Sequence, residues 1–257
     1  MLTPIRNTDD GEFALNELNS ELETPSDQHF APPALVAMEN THNRCGGEAV
    51  GLAHMAAVAE LAHHHGLSVH LDGARIFNAA LALETSASRI AAHADTVSFC
   101  LSKGLACPAG TMLCGPRPFV ERARRMRKML GGGMRQAGII AAAGIVALTA
   151  MVDRLAEDHE NARALAEGLG RVAGLRVHPA RRRTNMVFFE VAGGAERAGH
   201  FAAALGERGV LVGARSPVEF RAVTHYGVSG ADIERVVLAA AEAAAKTTGA
   251  AAAPAER

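Results

Sequence analysis

The sequence predicts an α/β protein: a mostly parallel sheet in a large first domain, then a smaller α+β domain. Three observations carry that reading. Short apolar runs alternate with helix-period segments through the first half of the chain. Two of those runs end on chemistry-bearing words, His70-Leu71-Asp72-Gly73-Ala74-Arg75 and Ser98-Phe99-Cys100-Leu101-Ser102-Lys103-Gly104. Beyond Pro116 the rhythm changes to long helices followed by separated strands. The chain has 257 residues, enough for one large domain or two small ones.

The elements follow in order. Residues 1 to 33 are polar and read as irregular, closing on Pro32-Pro33. Ala34 to Met38 is a short apolar run, a buried strand. Leu52, Met55, Ala56, Ala59 and Ala62 repeat with helical spacing, and Gly66 ends that helix. Ser68 to Leu71 is the next strand and delivers Asp72. A short helix starts at Ala74. Thr96 to Leu101 is a strand that delivers Lys103, and Gly110 to Cys114 is another. Pro118 to Leu130 is a basic helix stopped by Gly131-Gly132-Gly133. Apolar residues then predict a long helix from Gln136 to Leu155 and another from Asp158 to Leu169. Strands at 175–178, 186–191 and 210–212, with a helix at 195–208, give the second domain its α+β character. Glu219 to His225 is a further strand, and a last helix runs from Ala231 to Lys246. The predicted domains are 1–150 and 151–246, with an alanine-rich, disordered tail at 247–257.

Composition narrows the function. Lys and Arg total 26, Asp and Glu 27, so no global basic field argues for nucleic acid or a membrane surface. The most apolar window, Ala137 to Met151, is shorter than the ~20 residues a span needs and reads as a buried helix. The start of the chain has no signal-peptide pattern. Cys45, Cys100, Cys107 and Cys114 form no C-x-x-C pair, which reads as reduced thiols in a cytoplasmic protein.

In open α/β sheets ligands bind at the carboxyl ends of the strands, where Asp72 and Lys103 both fall. Thirty-one residues separate them, one β-α-β unit. A lysine amine there can form a Schiff base with the aldehyde of pyridoxal phosphate (PLP). A carboxylate can hold the pyridine nitrogen protonated, so that the ring draws in electrons. Taken alone, Asp72 reads as a turn or helix-cap residue; its pairing with Lys103 reverses that preference. Arg75 lies one turn from Asp72 and can clamp a substrate carboxylate. His42, just past the first strand, is a candidate base, against the reading of a simple loop histidine. Lys128, Gly131 to Gly133 and Arg135 form a glycine-broken basic junction that suits either a phosphate or a solvated helix stop. His63-His64-His65 cannot converge on one ion, because adjacent helical residues point apart.

These words resemble the threonine aldolases, within the β-eliminating lyase/threonine aldolase group of fold-type-I PLP enzymes. The stretches that carry the resemblance are ENTHNRCGG (39–47), HLDGARIFNAA (70–80), SFCLSKGL (98–105), RRMRKMLGGGMRQAG (124–138), DHENARALAEGL (158–169) and RAVTH (221–225). The resemblance implies a three-layer αβα large domain and a small C-terminal domain. It implies PLP held by Lys103 and Asp72, with Arg75 and Arg221 on the substrate carboxylate and His42 near the β-hydroxyl. Lys128 and Arg135 resemble residues that reach the cofactor region of a neighbouring subunit, so a homodimer or homotetramer is implied. The substrate would be L-threonine, L-allo-threonine or a related β-hydroxy-α-amino acid, cleaved to glycine and an aldehyde.

The pattern departs from the family at the start. The resemblance implies a further N-terminal segment, with a Ser-Gly-Thr loop for the cofactor phosphate and a histidine stacked on its ring. No Ser-Gly-Thr occurs in this sequence. The large domain is therefore expected to be N-terminally incomplete. Two alternatives stand beside the aldolase: an impaired remnant that keeps the cleft, and a PLP-dependent β-eliminating lyase. A Rossmann-type dehydrogenase ranks far below, because no G-x-G-x-x-G follows a strand.

Overall fold

The computed structural model describes residues 2–23, 29 and 31–250. Two compact units divide between Leu155 and Ala156. The sequence reading placed that division at 150. Leu155 belongs with the first unit because it is fully buried among Leu101, Leu105, Cys107 and Ala147.

The first unit opens on α1 (Leu15–Leu22), inside the stretch expected to be irregular. Leu15, Leu18 and Leu22 recur at helical spacing, and Leu18 is buried in the first core. β1 (Leu35–Glu39), α2 (Leu52–His64), β2 (Ser68–Asp72), α3 (Ile76–Ala82), α4 (Ala87–Ala91) and β3 (Thr96–Cys100) follow in the anticipated alternation. α2 ends because Gly66 takes a φ of +72°, which lets the Leu67 N–H return to the Ala62 carbonyl. β4 (Thr111–Cys114) completes a sheet of order β1-β2-β3-β4. The first three strands are parallel and β4 runs antiparallel to β3.

Strand alternation gives this sheet two unlike faces. Val36, Met38, Val69, Leu71 and Val97 are buried in one core with Met55 and Val58 of α2, Ile76 and Ala79 of α3 and Ile90 of α4. Each such large side chain contributes about 1.5–3 kcal/mol on burial. The alternate residues, among them Ala37, His70, Asp72, Thr96 and Ser98, are half-buried or exposed.

α5 (Arg117–Met129) is basic and has no buried residue. α6 (Gly138–Ala150) corrects the expectation of a buried helix: Ile139 is 86% and Ile145 65% exposed. Its composition is apolar all round, so no polar face marks which side is covered. Only Gly144 and Ala147 are buried. Among the described residues no single helix is long and apolar enough to cross a membrane.

The second unit contains most of α7 (Leu155–Gly170), then β5 (Leu175–Val177), β6 (Met186–Val191), α8 (Gly194–Gly206), β7 (Gly213–Ala214), β8 (Glu219–Val223) and α9 (Gly230–Ala250). The strands form an antiparallel sheet of order β5-β6-β8-β7. Phe189 stacks on Phe220 at 5.6 Å and meets Phe201 edge-on at 6.2 Å, so rings from both strands and α8 anchor this core. The strand expected at 210–212 is irregular, and the pairing starts at Gly213. α9 runs through Ala250, so the first residues of the expected tail are helical. Buried Thr247 returns its hydroxyl to the Ala243 carbonyl at 3.0 Å. The rest of that expected tail, 251–257, lies outside the described residues.

Half-buried His159 gives the second unit a pH dependence. Burial holds its pKa down to about 4, against a weaker opposing pull from Asp158. The unfolded chain therefore takes up a proton below pH ~6.5 that the folded chain refuses. Stability is expected to be full above that pH and to fall by up to about 3 kcal/mol as pH drops to ~4. Urea midpoints across that window check it; His159→Gln should flatten the slope.

Candidate active site

The parallel pairing of β2 and β3 closes the thirty-one-residue gap between the two words. Asp72 is the register partner of Ser98, and His70 of Thr96. Past the strand ends, the Gly73 N–H donates to the Ser98 carbonyl at 2.8 Å. A β-carbon on Gly73 would lie 3.1 Å from that same carbonyl oxygen, so the glycine permits the close approach. Asp72 and Lys103 thus leave the same edge of one sheet.

Asp72 is exposed, and its Oδ1 accepts the Ala74 N–H at 3.0 Å. That bond fixes the carboxylate in an Asx-type turn. Oδ2 has no partner among the described residues. Lys103 sits on a well-built turn. The Lys103 carbonyl accepts the Ala106 N–H at 2.9 Å, and the Leu101 carbonyl accepts the Cys107 N–H at 3.1 Å. Leu101, Leu105 and Cys107 are buried and anchor the turn, while Ser102 and Lys103 stay exposed. Among the described residues the lysine amine has no hydrogen-bond or ion-pair partner.

This turn carries strain: Ala106 has a φ of +57°, a region that costs a residue with a β-carbon about 1–2 kcal/mol. Ala106→Gly is expected to raise stability by about 1 kcal/mol after glycine's extra chain entropy is subtracted. The shift in urea midpoint measures it.

His70 lies on the same face as Asp72. Its Nδ1 is 2.8 Å from Thr96 Oγ1 and its Nε2 3.5 Å from Ser98 Oγ. These polar groups form a floor beside the carboxylate that no single-residue reading revealed, because it depends on strand register. Arg75 occupies the N-cap of α3, three residues from Asp72.

The other expected site residues lie on separate elements. His42 is drawn into a loop: its Nδ1 accepts the Cys45 N–H at 3.2 Å, and its Nε2 stands 3.9 Å from Glu39 Oε2. Burial pushes its pKa below the ordinary value, a trend that Arg44 reinforces and Glu39 opposes. The tautomer this network assigns is neutral with the proton on Nε2. In that tautomer the Nε2–H of His42 faces Glu39. Its link to the site runs through Glu39, the register partner of Asp72.

Lys128 ends α5, with its stem lying across Gly133. Gly131 takes a φ of +82° to turn the chain. No hydrogen bond or ion pair joins Lys128 or Arg135 to the Asp72–Lys103 edge among the described residues. Arg221 lies in the second unit, on β8 opposite Phe188.

The donor set at the sheet edge fits PLP. A carboxylate with one uncommitted oxygen suits a ring nitrogen that must be kept protonated, and an unpaired amine suits an aldehyde. Asp72 and Lys103 would hold the group.

The beta-eliminating lyase family matches residues 1–192. The low specificity L-threonine aldolase of Escherichia coli K12 is 44% identical over 237 residues, covering 91% of this chain and 67% of the relative. The threonine aldolase of Leishmania major has the same fold: TM-score 0.71 at 18% identity, over 91% of this chain and 68% of that one. So does a serine palmitoyltransferase solved with PLP: TM-score 0.70 at 20% identity, over 91% and 60%. The chain spans about two thirds of the length of the curated relatives it matches, 64–67%.

Proposed function

Because the chain belongs to the beta-eliminating lyase family, we propose that it serves PLP-dependent cleavage of a threonine-type β-hydroxy-α-amino acid to glycine and an aldehyde. The observation that carries this is one sheet edge presenting an uncommitted carboxylate oxygen at Asp72 and an unpaired amine at Lys103. When bound, PLP supplies an aldehyde carbon to hold the amino acid and a ring to receive the electron pair released at Cα. Lys103 Nζ would hold the group's aldehyde carbon. Asp72 Oδ2 would keep its ring nitrogen protonated. Arg75, three residues from Asp72, would take the substrate carboxylate. The proton lost from the β-hydroxyl as the aldehyde forms balances the proton gained at Cα in glycine, so cleavage needs no net acid or base. His42, paired with Glu39, orients the hydroxyl side.

Lys128 and Arg135 lie exposed at the end of α5 and in the loop after it, which supports their use by a neighbouring subunit of a homodimer or homotetramer. Four free cysteines support a cytoplasmic setting.

The test is product identity. L-threonine and L-allo-threonine should yield glycine and acetaldehyde in equal amounts. Keto-acid without glycine would turn the reading to β-elimination. The alternative reading is an impaired remnant of such an enzyme that keeps the cleft. A PLP–lysine band near roughly 420 nm that survives gel filtration of the 257-residue chain would exclude it.

A further inference from the structure

Asn78 is buried where an apolar residue would be the simpler choice. It lies on α3, three residues beyond Arg75, and is 2% exposed. A buried carboxamide costs free energy unless its polar atoms are satisfied. Its head group lies against Gly104, the residue that follows Lys103. A β-carbon on Gly104 would sit 3.3 Å from Asn78 Oδ1 and 2.8 Å from Leu155 Cδ2. The lysine turn is thus wedged at Gly104 between the carboxamide on one side and the Leu155 side chain on the other. α3 is also the helix whose N-cap is Arg75 and whose chain enters from Asp72.

We infer that Asn78 is a positioning residue for Lys103: its carboxamide seats the Lys103–Gly104 backbone against α3 and so sets where the amine stands relative to Asp72. Asparagine suits the task better than its isosteres. Leucine fills the space with no polar atoms, and aspartate loses the amide donors and adds a charge. The PLP reading supplies the meaning of this geometry; the packing itself does not depend on it.

The experiment uses the full chain, PLP itself as the probe, and borohydride reduction. Peptide mass spectrometry reads how label divides among the three lysines, Lys103, Lys128 and Lys246. The wild type should label Lys103 preferentially. In Asn78→Asp that preference should fall roughly tenfold, since a displaced group loses its aligned geometry steeply. Far-UV circular dichroism and the urea midpoint should be retained. Gly104→Ala, which presses on the same contact, should show the same loss. An undiminished preference in folded Asn78→Asp, or a loss that comes only with unfolding, would overturn the inference. Absence of any preference in the wild type would count against the cofactor reading instead. Amide hydrogen exchange without PLP then decides on Asn78. Faster exchange across Leu101 to Cys107 in Asn78→Asp, with Val69 to Leu71 unchanged, supports it, and unchanged exchange across the turn overturns it.

Discussion

Lys103→Ala is expected to abolish PLP attachment at that position and to lower aldol cleavage by at least about a thousandfold, because it removes the amine that holds and releases the cofactor aldehyde. The other two lysines, Lys128 and Lys246, keep their amines in the variant and serve as internal controls for the label. Stability should hardly move. The Lys103 side chain is exposed and without a partner among the described residues, and such substitutions stay within about 0.5 kcal/mol. A large chemical loss with an unchanged urea midpoint is therefore the signature to seek. Reduced label persisting on the variant at the wild-type level would place the attachment elsewhere and remove the basis of the proposed function.

Much of this site was legible because local rules sufficed. Period-2 apolar runs ending in Asp-Gly and Ser-Lys-Gly mark strand ends without any knowledge of tertiary structure, and parallel order follows from the helices between them. What was hidden depends on distant partners. The floor formed by His70, Thr96 and Ser98 exists only because β2 and β3 pair in one register, which neither strand encodes alone. The surroundings of His42 were hidden for a related reason. Residue type and position suggested a base, but which ring nitrogen is free depends on the Cys45 amide and the Glu39 carboxylate. Asn78 lay inside a word already singled out, three residues after Arg75. The signal available was a carboxamide in an otherwise apolar helix, Ile76 to Ala82. α6 was misjudged because an evenly apolar helix has no periodic polar face, so composition alone cannot assign burial. The run at 210–212 is apolar and β-prone, yet β-propensity is realised only where a partner strand is in reach.

Asp72→Asn separates the two readings that this residue invites, turn-former and cofactor anchor. Asparagine keeps an acceptor oxygen where Oδ1 stands, so the 3.0 Å bond from the Ala74 N–H can persist. It removes the charge that would oppose the ring nitrogen's proton. The expected result is a urea midpoint within about 0.5 kcal/mol of wild type. Cleavage should fall on the order of a thousandfold, about 4 kcal/mol, the scale of losing one partner of a desolvated ion pair. Asp72→Ala should show the same chemical loss and a further cost of about 1 kcal/mol in stability, because the turn bond goes too. The contrast between the variants carries the argument. If Asp72→Asn kept its activity while Asp72→Ala lost only stability, Asp72 would be a turn residue and nothing more. The geometry predicts the other pattern, because the two oxygens of this carboxylate have separate tasks. Oδ1 is already committed to folding the strand end, and only Oδ2 is free to meet a ligand. The turn bond holds Oδ2 in place before any cofactor arrives, so the capping role supports the chemical one.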